Sequence, residues 1–429
     1  MLQFPPVRPF TIHPLRKRGA DATRFTAALS CLAATLAVHG GCVAGPSALR
    51  ASHINYNLAI QQTTSEQLLL NLVRLKYRDV PFFLEVGSVA AQFTFEGSLG
   101  GRIVFNEDVG VNSENPDVYG LSAGLGYSER PTITYTPLQG EDFVERLLSP
   151  LTLDTILLLT RSGWSLDRVL RLTVQRMNDL DNASNASSPT PILAPEFEQF
   201  RQMAHLLRQL QMDSAVEIEY ETTEIDASHP IAIERFAPSD VLAALQSGHG
   251  VRRTLDGKAI VFTATRSTPV LRIAPDWMDS DEIKQLVEML DLKPGLPRYD
   301  LTVAVGSSGS SGPHESIAFE TRSLMGVLFF LSQAVEIPES HADLGWITQT
   351  IDANSEPFDW ARVTGNLLRI QTAWGRPAQA AVAVKYRGAW FYIDDAELSS
   401  KSTFSLLSQL FALKAGDART ERPVLTLPL

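Results

Sequence analysis

Closely spaced carboxylates are the residues of this 429-residue chain with the clearest potential for chemistry. Glu217, Glu219 and Glu221 alternate with apolar residues, so a strand would place them on one face at intervals of about 7 Å. Such a face could bind a cation or a basic partner, but it is also typical of a solvated strand protected against edge-to-edge pairing. Asp394 and Asp395 follow three aromatic residues and could act as the carboxylate pair of a glycosidase. Adjacent strand residues point to opposite faces, however, and Asp394 is well placed to cap a helix.

A cluster of arginines near Trp164 is the second candidate. Its members are Arg161, Arg168, Arg171 and Arg176. Arg168 and Arg171 would share one face of a helix and could bind an anion, although a solvated helix face explains the same spacing.

Motifs for other kinds of chemistry are missing from the sequence. The glycine-rich segment 306–312 lacks the lysine of a phosphate-binding loop, and no nucleophile elbow is present. The histidines after residue 42 lack zinc-ligand spacing and are each expected on the surface or in a loop. The formal net charge of −11 disfavours binding to nucleic acid. We therefore expect no catalytic residues, cofactor, metal, nucleotide or nucleic acid, and we favour a protein that is not an enzyme while leaving catalysis open.

Residues 1–42 have the pattern of a targeting segment. A basic cluster at 16–18 precedes the apolar run Phe25–Val38, which is too short to span a bilayer comfortably, and two glycines lead to Cys42. This order resembles a bacterial lipoprotein signal, which implies cleavage before Cys42 and acyl chains such as palmitate on that cysteine. An ordinary secretory signal cut near Val38–Ala44 and a retained anchor are the alternatives. The lipoprotein interpretation predicts a lipid-anchored protein of the cell envelope, at the outer membrane and facing the periplasm.

Hydrophobic periodicity predicts an α+β fold. A capping box beginning at Thr63 predicts the first helix, and alternating apolar and small residues over 86–136 predict a long antiparallel hairpin. A further helix is predicted over Ser165–Leu180. The remaining chain mixes helices with strands, without a βαβ repeat. Near its end, an Arg-Gly pair lies between two alternating stretches, Ala380–Tyr386 and Ala389–Ile393, and is typical of a hairpin turn.

Composition divides the chain into four parts. The signal covers 1–42, a helix and hairpin domain covers 43–180, and a mixed α+β domain covers 196–429. Between the two domains, residues 181–195 are rich in Pro, Ser and Asn and are predicted to form a linker.

Three stretches resemble a family of uncharacterised lipoproteins from Gram-negative bacteria. They are Glu66–Asp79, Arg322–Pro338 and Tyr386–Asp395. The resemblance runs through most of the chain after the signal. It implies a lipid anchor in the envelope, with no activity and no functional residues to carry over.

Three functions fit these observations. The first is a lipid-anchored structural or assembly protein, with envelope proteins or copies of itself as partners. The second is a subunit of an oligomeric outer-membrane pore or export complex that contributes the hairpin 86–136, since a membrane-spanning strand needs about 9–11 alternating residues. The third is an envelope hydrolase of glycan or peptide, with carboxylates that only the fold would bring together.

Overall fold

The fold was analysed in a computed structural model, which describes residues 54–104, 118–235, 237–304 and 312–416. The predicted signal at 1–42 and its lipidation residue Cys42 lie outside the described residues, as do residues 306–311 of the glycine-rich segment. The fold is α+β, as predicted: a helix, then a long hairpin, then a mixed α+β body. No helix in these four ranges has both the length and the apolar character needed to cross a membrane.

The secondary structure alternates without a repeating unit. The helices are α1 (54–76), α2 (Glu141–Leu148), α3 (Leu153–Arg161), α4 (Leu166–Thr173), α5 (Glu198–Met212), α6 (Pro238–Gln246), α7 (Asp281–Met289), α8 (Leu324–Ser332), α9 (Glu339–Asp343), α10 (Ala361–Thr364) and α11 (Leu398–Gly416). The strands are β1 (Leu84–Val104), β2 (Val118–Pro137), β3 (Val174–Met177), β4 (Leu180–Asp181), β5 (Val216–Asp226), β6 (Ile231–Ala232), β7 (Gly250–Arg253), β8 (Ala259–Ile273), β9 (Arg298–Val303), β10 (Ser316–Thr321), β11 (Gln371–Ala373), β12 (Ala380–Tyr386) and β13 (Ala389–Asp394).

The described residues fall into two compact units. Unit 1 contains 54–63 and the hairpin region 83–138, while unit 2 contains 64–82 and 139–416. The segment 181–195, predicted to be a linker between domains, therefore lies inside unit 2. The domain boundary placed there by composition does not separate compact bodies.

A buried arginine explains why this polar segment is not a linker. Arg322 is 1% exposed, and its guanidinium donates to the backbone oxygens of Arg171, Val174 and Asn182 and to the hydroxyl of Ser187. The Arg171 oxygen belongs to the last turn of α4, where carbonyls lack partners within the helix and carry partial negative charge. The arginine thus fastens residues 182–187 to the end of α4.

Helix α1 begins about ten residues before the capping box at Thr63. The Thr63 hydroxyl donates to the Ala59 oxygen one turn earlier, at 2.7 Å, so it bonds inside the helix rather than capping it. In unit 2 the apolar stripe of α1 is buried, and Leu69 and Leu72 are fully inaccessible. Burial of this stripe explains why the helix forms.

An eight-stranded sheet forms the framework of unit 2. Its main path runs in the order β4-β3-β10-β9-β8-β5, and β6 and β7 pair with β8. The helix predicted over Ser165–Leu180 ends at Thr173, because Val174–Met177 pairs as β3 with β10. Helix α8 is apolar on nearly all sides and almost entirely buried.

A separate three-stranded sheet has the order β11-β13-β12. The predicted turn lies between β12 and β13, where Arg387 and Gly388 have φ values of 46° and 90°.

Candidate functional site

The register of the β1–β2 hairpin makes it the candidate site for assembly. Phe95 is the partner of Tyr127, and Leu99 is the partner of Ala123. From Ser88 onward, each odd-numbered position of β1 pairs with an odd-numbered position of β2. Residues directly opposite each other lie on the same face of a sheet, so the two apolar series predicted from the sequence share one face.

The apolar face has the dimensions of a membrane-spanning strand pair. It extends over 93–103 in β1 and 119–127 in β2, with Glu129 opposite Phe93 at one end. Aromatic residues occur at both ends: Phe93, Phe95 and Tyr127 at one end and Tyr119 at the other. Eleven residues span about 36 Å. At the usual tilt of membrane strands this corresponds to about 25–30 Å, close to the thickness of the hydrocarbon core.

The opposite face of the hairpin carries small and polar residues. The even-numbered positions are Thr94, Glu96, Ser98, Gly100 and Arg102 in β1, and Gly120, Ser122, Gly124, Gly126 and Ser128 in β2. A face of this composition suits water or a polar interior.

Both edges of the hairpin are open to further strands. Among the described residues, 88–104 and 118–134 pair only with each other and form a two-stranded sheet of their own. An isolated hairpin is at best marginally stable in water, and open edges are templates for additional strands.

No protein-family model, no curated protein and no solved structure matches this chain.

Two of the three glutamates predicted on one strand face form ion pairs within unit 2. They lie on β5, the last strand of the main sheet path. Glu219 forms an ion pair with Arg272, and Glu221 forms one with Arg298. Because both acids already pair with arginines of the same sheet, the face does not present an isolated negative patch for a cation.

The carboxylates at 394 and 395 do not act as a pair. The Asp394 side chain accepts a hydrogen bond from the Ala396 backbone N–H at 2.8 Å and closes the turn after β13. Because α11 begins only at Leu398, Asp394 does not cap this helix, and the predicted capping role is wrong. Asp395 pairs with Lys401 at 2.5 Å. Each carboxylate thus has a local structural partner.

The arginines near Trp164 do not form one anion site. Arg168 donates to the Ser399 oxygen, Arg171 donates to the Val363 and Gly365 oxygens, and Arg176 pairs with Asp181. Arg161 lies over the Tyr220 ring. The expectation of a solvated helix face is wrong for Arg171, which is 6% exposed.

A buried histidine is a feature that the sequence did not reveal. His341 was expected on the surface or in a loop, but it lies in α9 and is 3% exposed. Its Nδ1 lies 2.5 Å from the hydroxyl of Tyr77. Burial and the Arg387 guanidinium lower the pKa of His341, and burial raises the pKa of Tyr77 to about 12. The imidazole is therefore neutral at pH 7, and in the tautomer protonated at Nε2 its Nδ1 accepts a hydrogen bond from the Tyr77 hydroxyl. Arg387 stacks over the Tyr77 ring and pairs with Asp79 at 2.9 Å, completing a network within unit 2.

Within the described ranges, one group of side chains could hold a metal ion. Asp179, Asp291 and His314 each place a ligand atom within 4.8 Å of the others. Both carboxylates are exposed to solvent, where acidic groups are common without an ion, so their proximity alone does not identify a metal centre. The three residues are far apart in sequence, which is why spacing could not reveal them.

Proposed function

We propose that this chain is a lipid-anchored protein of the Gram-negative cell envelope that assembles with copies of itself through its hairpin. In this proposal the hairpins of several copies form a continuous sheet in the outer membrane, as part of a pore or export complex. Cys42 carries the lipid, and unit 2 faces the periplasm.

The observation that carries the proposal is the amphipathic hairpin. The hairpin is a two-stranded ribbon about 20 residues long, with one apolar face and two unpaired edges. The apolar face must be shielded from water, and the edges are available to pair with further strands. Lipid would cover the apolar face. Identical hairpins from neighbouring copies would satisfy both edges, because a ring of identical subunits leaves no edge strand unpaired.

The lipid anchor rests on the order of residues before Cys42 and on the resemblance to Gram-negative lipoproteins. An anchor at this position would hold the chain at a membrane surface before assembly. Among the carboxylates that the sequence offered for hydrolysis, those at 219, 221, 394 and 395 have structural partners, so no observation favours the hydrolase.

The full chain, expressed with its own signal and extracted in detergent, tests this proposal. We expect multi-angle light scattering to give an oligomer of defined size, and we expect that oligomer to conduct ions after reconstitution into planar bilayers. A stable oligomer without conductance would support an assembly role and contradict the pore. A monomer in detergent that shows no conductance would contradict the whole proposal.

A further inference from the structure

A cavity of about 500 Å³ lies within unit 2, between the segment that follows α8, the loop before α10, and the start of α11. This volume falls in the range of pockets that hold small molecules. Its wall includes Lys76, the last residue of α1, together with Phe358 and Trp360.

Lys76 is an unusual residue for such a wall. It is 5% exposed, and its Nζ donates one hydrogen bond, to the Gln333 side-chain oxygen at 3.0 Å. Buried lysines are normally paired with a carboxylate, whereas here the partner is a neutral amide. Burial alone lowers the pKa of Lys76 to about 8, with no carboxylate among the described residues to offset it.

The amine is held in place by a second set of contacts. The Gln333 side-chain nitrogen lies 3.3 Å from the Thr190 hydroxyl and 3.2 Å from the Phe329 oxygen, which directs the amide oxygen toward Lys76. A lysine ammonium has three N–H donors, and only one is used in the described part of the chain. A flexible lysine at a helix end would ordinarily extend its amine into solvent. The amine of this cavity-lining residue is instead held by Gln333, and two of its N–H donors have no acceptor in the described part of the chain.

Two aromatic residues, Phe358 and Trp360, form part of the wall. The Trp360 ring centroid lies 5.9 Å from the Lys76 Nζ, and its indole N–H donates to the Thr350 hydroxyl at 3.1 Å. Phe358 packs edge-to-face on Trp360 at 5.3 Å between ring centroids. A cation beside rigid aromatic rings is complementary to a molecule with one carboxylate and an apolar body.

Acidic residues on the same wall restrict the charge of the ligand. Glu336, Asp359 and Glu397 all line the cavity, and Glu336 pairs with Arg369 at 2.6 Å. These carboxylates would repel phosphates and other multiply charged anions. A single negative charge would be favoured next to Lys76, because Arg369, the other cation of the wall, is already paired with Glu336.

We propose that this cavity binds a small monocarboxylate with an apolar body, whose carboxylate accepts hydrogen bonds from the Lys76 Nζ. The proposal concerns unit 2 alone and does not depend on assembly of the hairpin.

Calorimetric titration of the full chain with benzoate and octanoate tests this inference. We expect saturable 1:1 binding of at least one probe at pH 7, and binding at least about tenfold weaker for benzamide, which has the shape of benzoate without its charge. We expect Lys76→Met to weaken binding by at least about tenfold, while the exposed control Lys401→Met leaves it unchanged. Circular dichroism establishes that both variants are folded.

Absence of saturable binding for both carboxylates would overturn the inference. Equal binding of benzoate and benzamide would do so as well, and this comparison uses the wild-type chain, so it stands even where Lys76→Met fails to fold. Binding by Lys76→Met as tight as by the wild type would likewise contradict the role of the amine.

Discussion

Phe95 and Tyr127 are direct partners across the hairpin, although 32 residues separate them in the chain. This one relationship places the apolar series of both strands on the same face. A shift of one residue in the pairing would put the apolar residues of one strand opposite the polar residues of the other. The register therefore turns two alternating strands into one amphipathic surface.

Substitution at neighbouring positions tests which face meets lipid. Leu99 belongs to the apolar face and Ser98 to the polar face. We expect Leu99→Arg to destabilise the assembled protein by about 2–4 kcal/mol, because an arginine near the bilayer midplane must be taken out of water. We expect Ser98→Arg to assemble normally. Sedimentation of membrane extracts, with quantification of oligomer in each variant, measures the difference.

Equal assembly of the Leu99→Arg and Ser98→Arg variants would show that the odd-numbered face does not contact lipid. Loss of assembly in Ser98→Arg alone would assign the faces the other way round.

Lipid attachment is tested at the two cysteines, Cys31 and Cys42. With cells fed a radiolabelled fatty acid, we expect Cys42→Ala to lose the label, because Cys42 is the proposed site of acylation. The matched variant Cys31→Ala should keep the label, since that residue lies in the apolar run before the cleavage site. Label retained in Cys42→Ala would contradict the lipoprotein interpretation.

The free energy of unfolding is expected to depend strongly on Arg322. Replacement by Met removes a donor from four backbone carbonyl oxygens. Those of Arg171 and Val174 keep a hydrogen bond from the Asn182 side chain, whereas those of Leu172 and Asn182 lose their side-chain donor. Since an unsatisfied buried group costs about 1–3 kcal/mol, we expect a loss of about 3–5 kcal/mol in urea denaturation. Arg252 forms an exposed ion pair with Asp226, and Arg252→Met should change stability by at most about 1 kcal/mol. Similar losses in the two variants would contradict the anchoring role of Arg322.

The pH dependence of stability follows from burial of Lys76. Its pKa is about 8 in the folded protein and 10.5 without burial, so between these values the unfolded chain binds more protons. The free energy of unfolding contributed by Lys76 therefore rises as the pH increases from about 8 to about 10.5. Urea denaturation of wild type and Lys76→Met should show their difference changing by about 3 kcal/mol over this interval.

Lys401→Met provides the control for the pH experiment, because Lys401 is paired with Asp395 at the surface. Its difference from the wild type should lack the rise predicted for Lys76. Parallel pH profiles for wild type and Lys76→Met would show that the Lys76 amine is not buried as a cation.

Local sequence patterns predicted the presence of helices, strands and turns more accurately than the residues at which they begin and end. The Arg-Gly pair at 387 and 388 forms the expected turn, because two positive φ values are a local requirement. The helix predicted over Ser165–Leu180 stops at Thr173, because pairing of Val174–Met177 with a strand about 140 residues later outweighs its helical periodicity. Boundaries depend on such partners, which periodicity does not reveal.

Lys76 and His341, two buried groups whose pKa values are lowered, had no local signal in the sequence. Lys76 is a single polar residue at the end of an apolar helical stripe, and its partner Gln333 is 257 residues away. His341 meets Tyr77 across 264 residues. Spacing rules detect residues that lie close together on one helix or one strand. They could not reveal these contacts, because each joins two segments that are far apart in the sequence.

The sequence by itself determined the α+β class, the alternation of the hairpin strands and the order of residues leading to Cys42, because each depends on neighbours a few positions apart. Tertiary structure decided the shared face of Phe95 and Tyr127, the attachment of residues 182–187 to the body through Arg322, and the burial of Lys76 beside a cavity. The physical reason is that register and burial are set by contacts between distant segments, whose free energies exceed local preferences.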